Sequence, residues 1–192
     1  MDLATFVKYP TALNKKGAKW SLDPAPGAAC TVVITDSNGK YFEQRRVPSS
    51  IATLCFPGCN IRTVNELLRK TKNIQPTVQR IIVAVGINDQ QGTNDANLNS
   101  DIQDILRWGQ QHQKGVHIAG ISASNRLVAQ EHNQVAHINK LISDIFEENY
   151  VDALPADQIQ VDMNDMTGVY HDITTALKVF DELLKVIPPN PE

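Results

Sequence analysis

The chain has 192 residues, 42% of them hydrophobic and 20% charged, and a formal net charge of -3. Length and composition suit one globular domain with a core that stands without staples, and the slightly acidic balance lacks the basic excess of a nucleic-acid-binding domain. No stretch approaches the ~20 apolar residues of a membrane span, no Asn-x-Ser/Thr sequon occurs, and Cys30, Cys55 and Cys59 are odd in number, so the expectation is an intracellular, cytoplasmic protein with reduced, buried thiols.

Residues 1–29 read as a separate N-terminal arm and linker. Lys8, Lys15, Lys16 and Lys19 interleave with Phe6, Tyr9 and Trp20, and Asp23-Pro24-Ala25-Pro26-Gly27 comes next as a stiff turn. Four lysines over this length are read as a solvated segment whose aromatics pack on the domain, ahead of a nucleic-acid or membrane contact.

Over 30–192 strand-like and helix-like patterns alternate. Apolar, β-branched runs predict strands at Thr31 to Thr35, Ile51 to Phe56, Arg80 to Val85 and Val116 to Ser122, with a more polar fifth at Gln158 to Met163. Helical spacing appears in Asn65 to Lys70, in Leu98, Ile102, Ile105 and Leu106, in Val135, Ile138, Leu141, Ile142, Ile145 and Phe146, and in Ile173 to Ile187 before Pro188-Pro189. Asn38 to Arg46 is a further helical candidate. Five strands joined by crossovers of this length imply a parallel sheet covered on both faces, an α/β fold with three α/β/α layers.

Polar segments come directly after the strands, at the carboxyl edge where such sheets place ligands. Ser37 lies just past the first strand and opens a helical segment, where unpaired N–H groups favour developing negative charge; taken alone, it reads first as an N-cap serine. Gly58 offers an unobstructed backbone N–H, and Asn88 an amide just past a buried strand. Together the Ser37 N–H, the Gly58 N–H and the Asn88 amide would form an oxyanion hole, although each singly has a turn reading. His171 lies between the fifth strand and the last helix and supplies a base. His112, His132, His137 and His117 fall in helical or strand patterns and read as structural.

These segments resemble the blocks of the SGNH (GDSL-like) hydrolases: Asp36-Ser37 the nucleophile block, Pro57-Gly58 the glycine block, Gly86-Ile87-Asn88-Asp89 the Gly-x-Asn-Asp block, and His171 the last. The resemblance implies a flavodoxin-like five-stranded parallel sheet of order 2-1-3-4-5 and a serine esterase of short-chain acyl or acetyl esters working through an acyl-serine. Val33 to Gly39, Cys55 to Arg62 and Ala84 to Asp89 are similar, more narrowly, to the esterase domain in the first open-reading-frame protein of vertebrate LINE-type (non-LTR) retrotransposons. That implies a small acyl-ester substrate, lipid or acetylated molecule, with self-association and a weak membrane contact as further partners; the acidic balance, not the resemblance, gives the expectation of no nucleic acid through this domain. The alternative is a weak or inactive SGNH-like module serving assembly, membrane or nucleoprotein contact.

Two departures stand out. Thr35 occupies a position where the family carries glycine, and Gly168 stands three residues before His171 where the family carries the aspartate that orients the histidine. Asp165, Asp162 and Asp172 are the candidate substitutes; the alternative is a Ser37–His171 dyad with a backbone carbonyl on the imidazole N–H. No phosphate loop, dinucleotide fingerprint, His-Glu-x-x-His or Cys-x-x-Cys occurs, so no cofactor or metal is expected.

Overall fold

The computed structural model describes residues 30–45, 48, 50–71, 76–90 and 95–188; the arm expected over 1–29 lies outside them. Five parallel strands, β1 (Thr31–Thr35), β2 (Ile51–Cys55), β3 (Arg80–Ala84), β4 (Gly115–Ala119) and β5 (Tyr150–Val151), form one sheet in the order β2-β1-β3-β4-β5. Among the described residues four α-helices connect the strands or close the fold: α1 (Ile61–Lys70), α2 (Asp95–Gln111), α3 (Ala129–Phe146) and α4 (Ile173–Leu184). A 3-10 helix, Ser37–Gln44, comes directly after β1.

Side-chain alternation divides the core between the two faces of the sheet. Val32, Ile34, Leu54, Ile81, Val83 and Ile118 pack with Leu68, Leu98, Ile102, Ile138 and Ile142 of α1, α2 and α3. Val33, Ile51, Ile82, Ala119 and Val151 pack on the other side with Phe42, Ala176, Phe180 and Leu183. There the rings of Phe42 and Phe180 stack at 4.5 Å between centroids, seating the 3-10 helix on α4.

The register brings the strand ends level, with Thr35 paired to both Cys55 and Ala84. The segments leaving β1, β2 and β3 therefore emerge along one edge.

The fifth strand differs from the expectation. It is Tyr150–Val151, paired with Ile118 and Ala119. Gln158 to Met163 is not a sheet strand: Val161 forms only an isolated antiparallel bridge with His171. Gln158, Gln160 and Asp162 alternate polar side chains through it, which suits no strand buried on both faces, whereas Val151 is buried beside Ala119. β4 ends at Ala119, the Gly120 N–H makes a last bond to the Val151 carbonyl, and Ile121 to Ser124 lie beyond the ladder.

Smaller differences have local causes. The 3-10 helix begins at Ser37 because Asp36 is its cap, accepting from the Asn38 N–H, and α1 begins at Ile61 because Asn60 caps it through the Thr63 N–H. Cys55 and Cys59 are buried thiols, while Cys30, expected buried, is exposed. Among the described residues no helix is long and apolar enough to cross a membrane.

Candidate active site

Ser37 is the first residue of the 3-10 helix, so its N–H has no partner within that helix. Thr35 fits before it because of Gly39: a Cβ on Gly39 would lie 2.1 Å from Thr35 Cγ2, so the threonine side chain fills room that the glycine leaves. Gly58 adopts φ 78°, a left-handed backbone that glycine takes freely, and a Cβ there would meet nothing within 4 Å. Its N–H donates to no group among the described residues. Asn88 Nδ2 donates to the Cys59 carbonyl at 2.8 Å, which fixes the amide beside the Gly58 turn and commits one of its two hydrogens. Ser37, Gly58 and Asn88 thus occupy successive strand ends on one edge.

His171 reaches the same edge from the other side. Asn38 ties it there: the His171 N–H donates to Asn38 Oδ1 at 2.9 Å, and Asn38 Nδ2 donates to the Val169 carbonyl at 3.1 Å. Lys40 adds a third tie, 4.0 Å from Asp162 and over the rings of Tyr41 and Tyr170.

The imidazole is buried. Its Nε2 lies 2.8 Å from the Ser122 carbonyl, which only accepts, so the neutral ring carries its proton on Nε2. Nδ1 is buried without a hydrogen-bond partner and holds the lone pair. Burial lowers the His171 pKa below its ordinary 6.5, against the opposing pull of the Ser122 carbonyl and the Asp172 charge, so the ring is neutral at neutral pH. No hydrogen bond joins it to Ser37 Oγ, and catalytic hydrogen bonds are often long before substrate binds.

None of the candidate acids bonds the His171 ring. Asp165 accepts from Thr167 N and Oγ1, Val169 N and Tyr170 N, at 2.6 to 2.9 Å. Burial pushes its pKa up, but these bonds outweigh that and hold it below the ordinary carboxylate value. Asp162 accepts from Asn164 N and faces Lys40, and Asp172 caps α4 through the Thr175 N–H. Gly168 itself has φ 74°, and a Cβ there would lie 2.7 Å from Arg126 Cβ. An aspartate at 168 is therefore disfavoured by backbone and space together.

Asp36 is buried under the edge, where burial pushes its carboxyl up to about 7, with the neighbouring Asp89 adding to the rise and hydrogen bonds from Asn38 and Gly86 opposing it. A small cavity of about 40 Å³ lies beside it, walled by Asp36, Phe42, Val179, Ser122 and His171 among others. Ser37, Gly58 and Asn88 do not line it. Among the described residues, no group of three or more His, Cys, Asp or Glu side chains is placed to hold a metal ion.

Three residues that shape the site, Asn38, Ser122 and Asn139, are missed by the sequence reading. Only Asn139 carries a visible signal: it is an amide on the apolar stripe formed by Val135, Ile138 and Ile142.

The fold is that of the SGNH, or GDSL-like, esterases. The acetyl xylan esterase AlAXEase superposes with a TM-score of 0.64 at 13% identity, over 82% of this chain and 99% of its own. A carbohydrate acetylesterase family member from Sinorhizobium meliloti gives 0.57 at 14% identity over 82% and 96%, and a GDSL-like lipase from Bacteroides thetaiotaomicron 0.54 at 12% over 81% and 88%. No protein-family model and no curated protein matches the sequence.

Proposed function

We propose that this protein is a serine esterase of short-chain acyl or acetyl esters. The observation that carries the reading is the placement of Ser37, Gly58 and Asn88 on three adjacent strand ends, with the His171 segment fastened to the residue after Ser37. Ser37 Oγ attacks the ester carbonyl as His171 takes its proton. Nδ1 is the nitrogen with a free lone pair, while Nε2–H stays on the Ser122 carbonyl and, with the Asp172 charge, favours the imidazolium that forms. The Ser37 N–H, the Gly58 N–H and the second Asn88 amide hydrogen receive the oxyanion. His171 then returns the proton to the leaving alcohol, and water hydrolyses the acyl-serine by the reverse sequence. With no carboxylate on the imidazole, the enzyme works as a dyad.

The substrate preference for small acyl groups, and the setting of an esterase domain in a retrotransposon protein, are part of this proposal and rest on the sequence segments named above. A second reading has one observation in its favour: Met163 and Met166 are 91% and 96% exposed, and Tyr170 and Ile173 are also exposed, all on the stretch that carries His171. A contact surface for an apolar partner fits there with or without catalysis.

Hydrolysis of p-nitrophenyl acetate and its longer homologues by the wild type, Ser37→Ala, His171→Ala and Asn88→Ala tests the proposal. Ser37→Ala falls to background, and Asn88→Ala loses about 10²- to 10³-fold in kcat. Wild-type turnover no faster than that of Ser37→Ala ends the esterase reading and leaves the contact module.

A further inference from the structure

An imidazole that acts as a base needs one nitrogen held in a fixed direction, and the group that holds it has to be fixed in turn. Here that group is the Ser122 carbonyl, on a segment that has left the β4 ladder, so no strand neighbour pins it. Side chains do so instead. Asn139 Oδ1 accepts from the Ile121 N–H at 2.7 Å and Asn139 Nδ2 donates to the Ile121 carbonyl at 3.0 Å. One amide thus holds both backbone polar groups of a single residue, as a neighbouring strand would, and orients the peptide planes on either side of it. Ser122 Oγ accepts from the Leu154 N–H at 2.9 Å, and Ser124 Oγ donates to the Gly168 carbonyl at 2.7 Å, anchoring the segment beyond.

Asn139 stands among Val135, Ile138 and Ile142 on the face of α3 that packs on the core. An amide in such a position is unfavourable unless its donors and acceptor are used. Both ends of this one are used on Ile121.

We propose that Asn139 is the positioning residue for His171, fixing through the Ile121 backbone the carbonyl that takes the place of an orienting carboxylate. This rests on the reading of His171 as the base. The residue touches neither substrate nor reacting atoms; it sets the tautomer and direction of the ring.

Nitrogen-15 NMR of the histidine rings, read beside p-nitrophenyl acetate kinetics, tests it. In the wild type His171 is the Nε2–H tautomer with a slowly exchanging ring proton. Asn139→Ala loses that protection, gives a mixture of tautomers, and lowers kcat about 10²-fold with KM within about two-fold, the mark of lost orientation rather than lost binding. Asn139→Asp, which retains the acceptor and removes the donor, gives a partial loss of both, and it decides the matter if the alanine variant does not fold. Lys140→Ala, on the neighbouring exposed pair with Asp144, changes neither readout. A folded Asn139 variant with the wild-type tautomer and kcat overturns the proposal. Ser37→Ala separates the two claims: it retains the His171 tautomer while hydrolysis is lost, and if hydrolysis persists the esterase reading falls while the tautomer result still judges Asn139.

Discussion

Asp36 makes the stability of this protein depend on pH in a way that one substitution isolates. The unfolded chain releases the Asp36 proton near 3.8 and the folded chain near 7. Between those values the folded state holds a proton that the unfolded state has lost, so the stability contributed by the neutral carboxyl is complete below 3.8 and is lost as pH rises through 7. At about 1.4 kcal/mol per pKa unit, the rise corresponds to roughly 4 kcal/mol once the folded carboxyl is ionised. Asp36→Asn retains an oxygen for the Asn38 N–H, hence the helix cap, and removes the charge. Urea unfolding of both proteins from pH 4 to 9 gives a difference in which groups common to both, such as His171, cancel. The variant gains on the wild type as pH rises from 4 to 7 and the difference levels off above. A difference that is flat over this range refutes the reasoning.

Gly168→Asp, which supplies the acid that the sequence resemblance leads one to expect there, lowers stability by about 1–2 kcal/mol for the left-handed backbone and more for the contact with Arg126, and does not raise kcat; thermal melts and steady-state kinetics check both. Gly39→Ala would ordinarily stabilise a helix, but here it collides with Thr35 and costs about 1–3 kcal/mol; Thr35→Gly in the same chain relieves it, and a double-mutant cycle with no coupling rejects the pairing. Because burial lowers the His171 pKa, kcat/KM stays level as pH falls through 6.5 and declines only below it; measured in the Asp36→Asn background, an acid limb above 6.5 contradicts the buried, neutral ring.

The sheet was legible because its signal is local. The runs at Thr31–Thr35 and Arg80–Ala84 each hold three successive β-branched apolar residues, Val32-Val33-Ile34 and Ile81-Ile82-Val83, as a strand buried on both faces has to. The fifth strand was not legible, since two residues, Tyr150 and Val151, carry no period, and their strand character comes entirely from the edge that β4 offers. Thr35 looked like an intrusion until its partner in space, Gly39, showed where its side chain goes.

The candidate site divides along the same line. That Ser37, Gly58 and Asn88 lie at adjacent strand ends follows from the sequence itself, because each lies within a few residues of its strand and parallel pairing brings strand ends together. What orients His171 was decided only in three dimensions. Asp165 stands nearby in sequence, but its carboxylate closes its own loop, while the Ser122 carbonyl, 49 residues away, takes the ring. Every residue has a carbonyl, so composition and spacing carry no trace of which one is chosen; packing of α3 against the end of β4 makes the choice, through one asparagine on an apolar stripe.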